Sequence, residues 1–240
     1  MTEKAQREFF ERLASHYDSR FCRSRWPRNQ QLKAREVTSV LGDALRAGPV
    51  IEIGCGTGQI AGELLSANPG LRYVGSDLSS GMLEIARQRL AAYSDRIELR
   101  VSEQNGVPVE DGPYAGAFGI DVLHHVEDPL QLLRNLRVAL EPGAPIVFLE
   151  ANPIFPITAA MGVVYKEERG VFKMRPKYLG PWLREAGFER VDVLLGPVYT
   201  PPGPTRLDGV LDAIDRGLAK TPLVRKLALY FEAQGRVPAA

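Results

Sequence analysis

The stretch VIEIGCGTGQIAGELL, residues 50–65, changes character twice in sixteen residues. Its first four residues are apolar except for Glu52, as in a strand buried on both faces. Gly54, Gly56 and Gly58 then mark a tight turn, and the remainder has the apolar spacing of a helix. A strand, a glycine turn and a helix in this order open a doubly wound α/β sheet, whose ligands sit at the carboxyl ends of the strands. A dinucleotide fingerprint would place its third glycine at position 59, which is Gln59. A pyrophosphate seeks bare amides at a helix N-terminus, and Glu52 would repel it. A ligand with a cationic end would be drawn to the same carboxylate.

Outward from this turn, the alternation continues. RYVGSDLS is read as a second strand. SGMLEIARQRLAAY is a helix capped by Ser79 or Ser80, and RIELRVSE is a third strand. YAGAFGIDVLHHV contains the fourth. DPLQLLRNLRVAL is a helix with Asp128 as cap and Pro129 at its first position, and PIVFLEAN is the fifth strand. On the amino side, two helices are expected, the second from about Asn29 to Leu45 with an interruption near Gly42. After Asn152 the pattern lapses into a long proline-punctuated segment, read as a lid or insertion. A helix ending at Gly187, a sixth strand (FERVDVLL), two short helices (LDGVLDAIDRGLA and PLVRKLALY) and a seventh strand near YFEAQGRV follow. The expected fold is a mainly parallel seven-stranded α/β sheet in a single domain, residues 1–240. Within it, 1–47 form a helical lid, 48–151 the ligand-binding core, 152–174 an insertion and 175–240 the rest of the sheet.

Composition narrows the function. The chain has 240 residues, 45% apolar and 25% charged, with a net charge of +1, the profile of a soluble globular protein. A near-neutral balance disfavours a general nucleic-acid binder. The exception is SRFCRSRWPRNQQLKAR, with six basic residues and no acid, whose Arg20, Arg23, Arg25 and Arg28 suit either an acidic ligand or a solvated face. Cys22 and Cys55 form neither a metal spacing nor a disulfide framework, and no metal site is legible. The most apolar window, residues 145–165, is interrupted by Glu150, Asn152 and prolines, so no membrane span is expected. The charged N-terminus does not read as a signal peptide, and the expected setting is cytoplasmic. Oligomeric state, monomer or homodimer, stays open.

Three further signals surround the turn. Asp77 ends the second strand, 19 residues after Gly58, where a carboxylate can hold both hydroxyls of a ribose or simply brace the turn. Glu103 follows the third strand, placed to accept from an adenine amino group or to face solvent. His124 and His125 follow the fourth strand and, in extended backbone, would point opposite ways.

These residues together resemble the class I S-adenosylmethionine-dependent methyltransferases of the small-molecule, methyltransferase-11/25-like type. VIEIGCGTGQIAGELLSANPGLRYVGSDLSSGMLEIARQRL is similar to their nucleotide-binding half. YAGAFGIDVLHHVEDPLQLLRNLRVALEPGAPIVFLE is similar to their following block, and FFERLASHYD resembles their N-terminal lid helix. The likeness covers about residues 5–150, after which LREAGF and AQGRVP alone carry it. Ala115 and Ala144 depart from the family's Asp and second Gly. The resemblance implies S-adenosylmethionine as co-substrate, S-adenosylhomocysteine as product and a small-molecule acceptor. It implies that Glu52 and the turn, Gly54, Cys55, Gly56 and Gly58, lie beside the methionine part. It places Asp77 on the ribose, and Leu78, Met82, Glu103, Gln104 and Ile120 around the adenosine. The Gly119 backbone would face the methionine amino group, and Tyr17 would close over the donor.

The phosphoethanolamine methyltransferases have a similar segment in which an Asp and a His four residues later act near the acceptor. Asp121 and His125 match that spacing, with His124 and Tyr17 as further catalytic candidates. The competing reading makes the histidine pair structural. Cys55 reads as a small packing residue as well as a neighbour of the donor. Ile154, Phe155, Ile157 and Met161 of the insertion favour an acceptor with an apolar part. An RNA or protein methyltransferase, a nucleotide-dependent oxidoreductase and a non-catalytic donor-binding protein are the rivals.

Overall fold

The computed structural model describes all residues except 1–2, 22–26, 104, 197–204, 222–223, 225 and 240. One seven-stranded sheet organises the chain. Its strands are β1 (Pro49–Ile53), β2 (Arg72–Asp77), β3 (Ile97–Val101), β4 (Gly116–Ile120), β5 (Pro145–Ala151), β6 (Glu189–Leu195) and β7 (Tyr230–Arg236), in the order β3-β2-β1-β4-β5-β7-β6. The first five run parallel, and β7 enters antiparallel between β5 and β6. Strand order reverses between β1 and β4, where Ile53 lies opposite Gly119, so a crevice must open at their carboxyl ends.

The strands are apolar throughout because both faces are covered. In β5, Val147 and Leu149 join Phe118, Leu64, Leu65 and Leu41 in one core layer. Ile146 and Phe148 face the other way, toward Leu132, Leu136, Leu179 and Leu183. That two-residue alternation divides one strand between two cores. The first layer is covered by α2 (Pro27–Leu41), α3 (Ala44–Ala47), α4 (Gln59–Ala67) and α5 (Ser80–Arg89). The second is covered by α6 (Pro129–Ala139) and α8 (Pro176–Glu185).

Local chemistry sets the helix ends. Ser79 caps α5, its side chain accepting from the Met82 amide at 3.1 Å. Asp128 caps α6 by accepting from Gln131, with Pro129 at the first position. Gly42, at φ +50°, separates α2 from α3 where an interruption was expected. The insertion folds as α7 (Pro156–Val164) and a 3-10 segment, Lys166–Phe172.

Two expectations change. The histidines lie beyond β4, which ends at Ile120, in a 3-10 turn Leu123–His125, so strand alternation does not apply to them. The second of the two short helices before β7, read over residues 222–230, does not extend to Tyr230: Val224 is helical, and the chain turns soon after it. After α9 (Asp208–Ala219), Lys226 and Leu227 form a turn and Tyr230 already belongs to β7. Pro222, Leu223 and Arg225 lie outside the described residues.

Candidate active site

A cavity of about 320 Å³ occupies the crevice. Its wall includes Tyr17, Glu52, Gly54, Cys55, Gly56, Asp77, Leu78, Met82, Glu103, Ile120, Asp121, His124 and His125. Most of the residues singled out from sequence are therefore brought together. Gly58 and Gly119 are not among them. Gly58 starts α4 at φ +75° and packs on Leu90 and Ala86 of the α5 region. At Gly119 a Cβ would lie 2.7 Å from the Phe148 ring, so this glycine serves close packing of β4 on β5. Gln104 lies outside the described residues.

The turn is shaped by what it must avoid. Gly54, at φ +69°, has Val122 where a Cβ would stand, 2.4 Å away. Gly56, at φ +52°, has nothing within 4 Å of that position, and its positive φ suits a glycine. The Gly54 and Cys55 amides donate to the Ser76 carbonyl at 2.8 and 2.9 Å, binding the turn to β2. Asp77 ties the same two elements. Its Oδ2 accepts from the Gly56 amide at 2.8 Å and its Oδ1 from the Ser79 amide at 2.9 Å. Burial nonetheless holds its carboxyl above the ordinary value.

Glu52 is 2% exposed, and the Tyr73 hydroxyl donates to it at 2.5 Å. Burial pushes its carboxyl up to about 8; the Tyr73 hydrogen bond opposes this and the Asp77 charge adds to it. Burial likewise pushes the Cys55 thiol well up, which keeps it an uncharged packing group.

The helix α1 (Glu3–Phe21) lies across this end of the cavity and is fastened at two points. Glu11 accepts from the Ser80 and Gly81 amides, at 2.7 and 3.0 Å, at the N-terminus of α5. Asp18 accepts from Thr57 at 2.7 Å, from Gln59 at 2.8 Å and from Arg89. Gln59, the residue that broke the dinucleotide fingerprint, is thus part of the lid fastening.

At the other end, polar groups gather around the turn after β4. Asp121 has φ +51°, and Lys33 from α2 donates to its Oδ2 at 2.5 Å. Burial raises the Asp121 carboxyl, but the Lys33 ammonium and the nearby histidines outweigh it and hold it low. Glu150, fully buried at the end of β5, accepts from the Val122 and Leu123 amides at 3.0 and 2.7 Å and from His124 Nδ1 at 2.7 Å. Glu168, from the insertion, stands 3.4 Å from His124 Nε2 and 4.0 Å from His125 Nε2. Burial disfavours the charged form of His124, but hydrogen bonds to Glu150 and Glu168 override it and raise the imidazole. Burial and the charge on His124 lower that of His125. The Phe10 ring of α1 meets His125 edge-on at 5.2 Å. Phe155, Ile157 and Met161 supply the apolar wall on this side.

Sequence reading missed Lys33, Glu150 and Glu168. Glu150 carried a usable signal, a lone acid closing an apolar run (IVFLE) as Glu52 interrupts VIEIG. Glu168 carried none, being one acid in a charged segment. Arg28 resolves differently from either reading offered for it. It is buried and donates to Asp212 and Asp215 of α9 at 2.8 and 2.6 Å, which ties α2 to α9. Arg23 and Arg25 lie outside the described residues.

An open, mainly parallel sheet with a glycine turn after β1, an acid in each of the first two strands and a cavity at the point where strand order reverses is the arrangement of a nucleotide-derivative binding fold. Known proteins agree. A family described as "Methyltransferase domain" matches residues 51–146. The ubiquinone biosynthesis O-methyltransferase of Stutzerimonas stutzeri is 30% identical over 162 residues, 63% of this chain and 68% of that one. An uncharacterized 37.1 kDa protein of a Streptomyces fradiae transposon is 38% identical over 123 residues. That match takes in 50% of this chain and only 35% of the relative's length. The structure of the CcbJ methyltransferase from Streptomyces caelestis shares the fold, with TM-score 0.67 and 17% identity over 98% of this chain and 99% of that one. The chain belongs to the S-adenosylmethionine-dependent methyltransferases.

Proposed function

We propose that this chain moves the methyl group of S-adenosylmethionine to a small molecule with an apolar part, at an O, N or C atom. The observation that carries the reading is continuity. One cavity runs from the glycine turn and Asp77 to the polar cluster at Asp121, His124 and His125, and on to Phe155, Ile157 and Met161. Its donor end fits the co-substrate by its own chemistry. The open space at Gly56 admits a backbone contact, Asp77 presents a carboxylate toward a ribose, and Glu52 suits a cationic amino-acid end. Leu78, Met82, Glu103 and Ile120 surround the adenosine, and Tyr17 covers it. Bound there, the co-substrate supplies a methyl already activated on a sulfonium. The protein's task is to align the acceptor and exclude water, which α1 and the insertion do as roofs.

The names of the relatives favour an oxygen acceptor, and the apolar wall favours one with a hydrophobic body. The whole chain acts as one domain with an N-terminal lid. A cytoplasmic setting accords with two cysteines in no disulfide spacing. Among the described residues no helix is long and apolar enough to cross a membrane.

Calorimetric titration of S-adenosylhomocysteine tests the donor site. Micromolar binding is expected, weakened by about 1–3 kcal/mol in Asp77→Ala, as for a lost hydrogen bond to a charged group. Absence of binding by the folded wild type would overturn the reading.

A further inference from the structure

His124, His125 and Glu168 converge at one point of the cavity wall. One nitrogen from each imidazole and one Glu168 oxygen all lie within 4.8 Å of one another. Around a tetrahedral cation with bonds of about 2.0–2.2 Å, ligand atoms stand roughly 3.4 Å apart. His124 Nε2 and Glu168 Oε2 are already at 3.4 Å, and His125 Nε2 is at 4.0 Å from the same oxygen. A small contraction completes the set.

The outer partners are in place as well. His124 Nδ1 donates to Glu150 Oε2 at 2.7 Å, which fixes the ring and turns Nε2 toward Glu168. A carboxylate behind a ligating imidazole is the usual way a metal site orients its histidine. Glu150 is itself immobilised by the Val122 and Leu123 amides. Such bracing exceeds what a surface ion pair needs.

We propose that His124, His125 and Glu168 bind a divalent transition cation whose remaining positions open onto the acceptor end of the cavity. Two imidazoles and one carboxylate suit Zn²⁺, Fe²⁺ or Co²⁺; Mg²⁺ and Ca²⁺ prefer all-oxygen sites. No spacing in the sequence announces this set, because Glu168 follows His125 by 43 residues.

The use of the site rests on the methyl-transfer reading. The cation would act as a Lewis acid on an acceptor hydroxyl, whose proton would be released to solvent as the hydroxyl binds, before the roof closes. The oxygen lone pair then forms the O–C bond as the S–C bond breaks, its electrons return to sulfur, and a neutral thioether is left. The acceptor class is therefore an apolar molecule bearing a hydroxyl able to ligate a metal, such as a phenol or enol.

The test uses the full chain, without a histidine tag and stripped by a chelator. It is titrated with Co²⁺ under visible absorption and then with Zn²⁺, while S-adenosylhomocysteine binding is followed by calorimetry on the same samples. Expected is one equivalent of Co²⁺, displaced by Zn²⁺ and bound at least tenfold more weakly by His125→Ala and Glu168→Gln. Glu150→Gln should weaken it about 10–100-fold through the outer partner. Retained S-adenosylhomocysteine binding shows that the variants are folded. If the wild type binds S-adenosylhomocysteine but not Co²⁺, or if all variants bind Co²⁺ equally, the metal site is overturned and the methyltransferase reading stands. The same cluster is then an imidazolium held between two glutamates.

Discussion

Glu52 shows how one side chain reports on the ligand it awaits. Tyr73, Asp77 and Cys55 face it, and burial dominates, so its carboxyl is raised to about 8. A carboxyl raised on folding keeps its proton longer in the folded chain than in the unfolded one. Its contribution to stability is therefore full below about 4.5 and is lost as pH rises through about 8. Thermal melts from pH 5 to 9 should show wild type losing stability relative to Glu52→Gln, by at most about 1.4 kcal/mol per pH unit. An ammonium bound beside Glu52 would reverse the preference. Calorimetry of S-adenosylhomocysteine near pH 7 in buffers of different ionisation enthalpy should then show close to one proton released. No proton release would separate Glu52 from the ligand's amino group. This residue was legible because an acid inside an apolar strand needs a reason. Glu168 was not, because an acid in a charged segment needs none.

At the scale of elements, α1 is the piece whose role depends on a few polar contacts. Asp18 collects Thr57, Gln59 and Arg89, and Glu11 collects two amides of α5. Asp18 is about a third exposed, so screening discounts its ion pair. Asp18→Ala should loosen α1 by about 1 kcal/mol, seen as roughly fivefold faster amide hydrogen exchange within Glu3–Phe21. Exchange in β1 and β4 should stay unchanged. Exchange unaltered in α1 would mean that apolar contacts hold it. The helix itself was readable from Phe9, Phe10, Leu13 and Tyr17 at helical spacing. Its fastening was not, because every partner is distant in sequence. The histidine turn failed for a related reason. β4 stops at Ile120, where Asp121 takes a positive φ, and the chain leaves the sheet for a turn braced by Glu150 from β5.

Across the whole molecule, the doubly wound sheet was legible from strand–helix alternation, since buried parallel strands must be apolar on both faces. The antiparallel seventh strand was placed correctly along the chain, but its position between β5 and β6 is a matter of long-range pairing that periodicity does not encode. Phe148 is the test of the shared core. It is fully buried in the layer of α6 and α8 and backs Gly119 of β4. Phe148→Ala should cost about 3–5 kcal/mol in denaturant unfolding. Val138→Ala, at a position 79% exposed, should stay within about 0.5 kcal/mol of wild type. Similar effects at both positions would show that the layer is not cooperative.

The insertion of β7 between β5 and β6 has a consequence for the newborn chain. A ribosome releases residues in order, so β1 to β6 emerge before the strand that must lie between two of them. Until Tyr230–Arg236 arrive, β5 and β6 have no middle neighbour and their facing edges are bare. Tyr230, the first residue of that strand, also lines the cavity. The pocket is therefore finished by the last strand of the sheet to be made, and a chain halted short of that strand would have neither a closed sheet nor a complete place for its substrates.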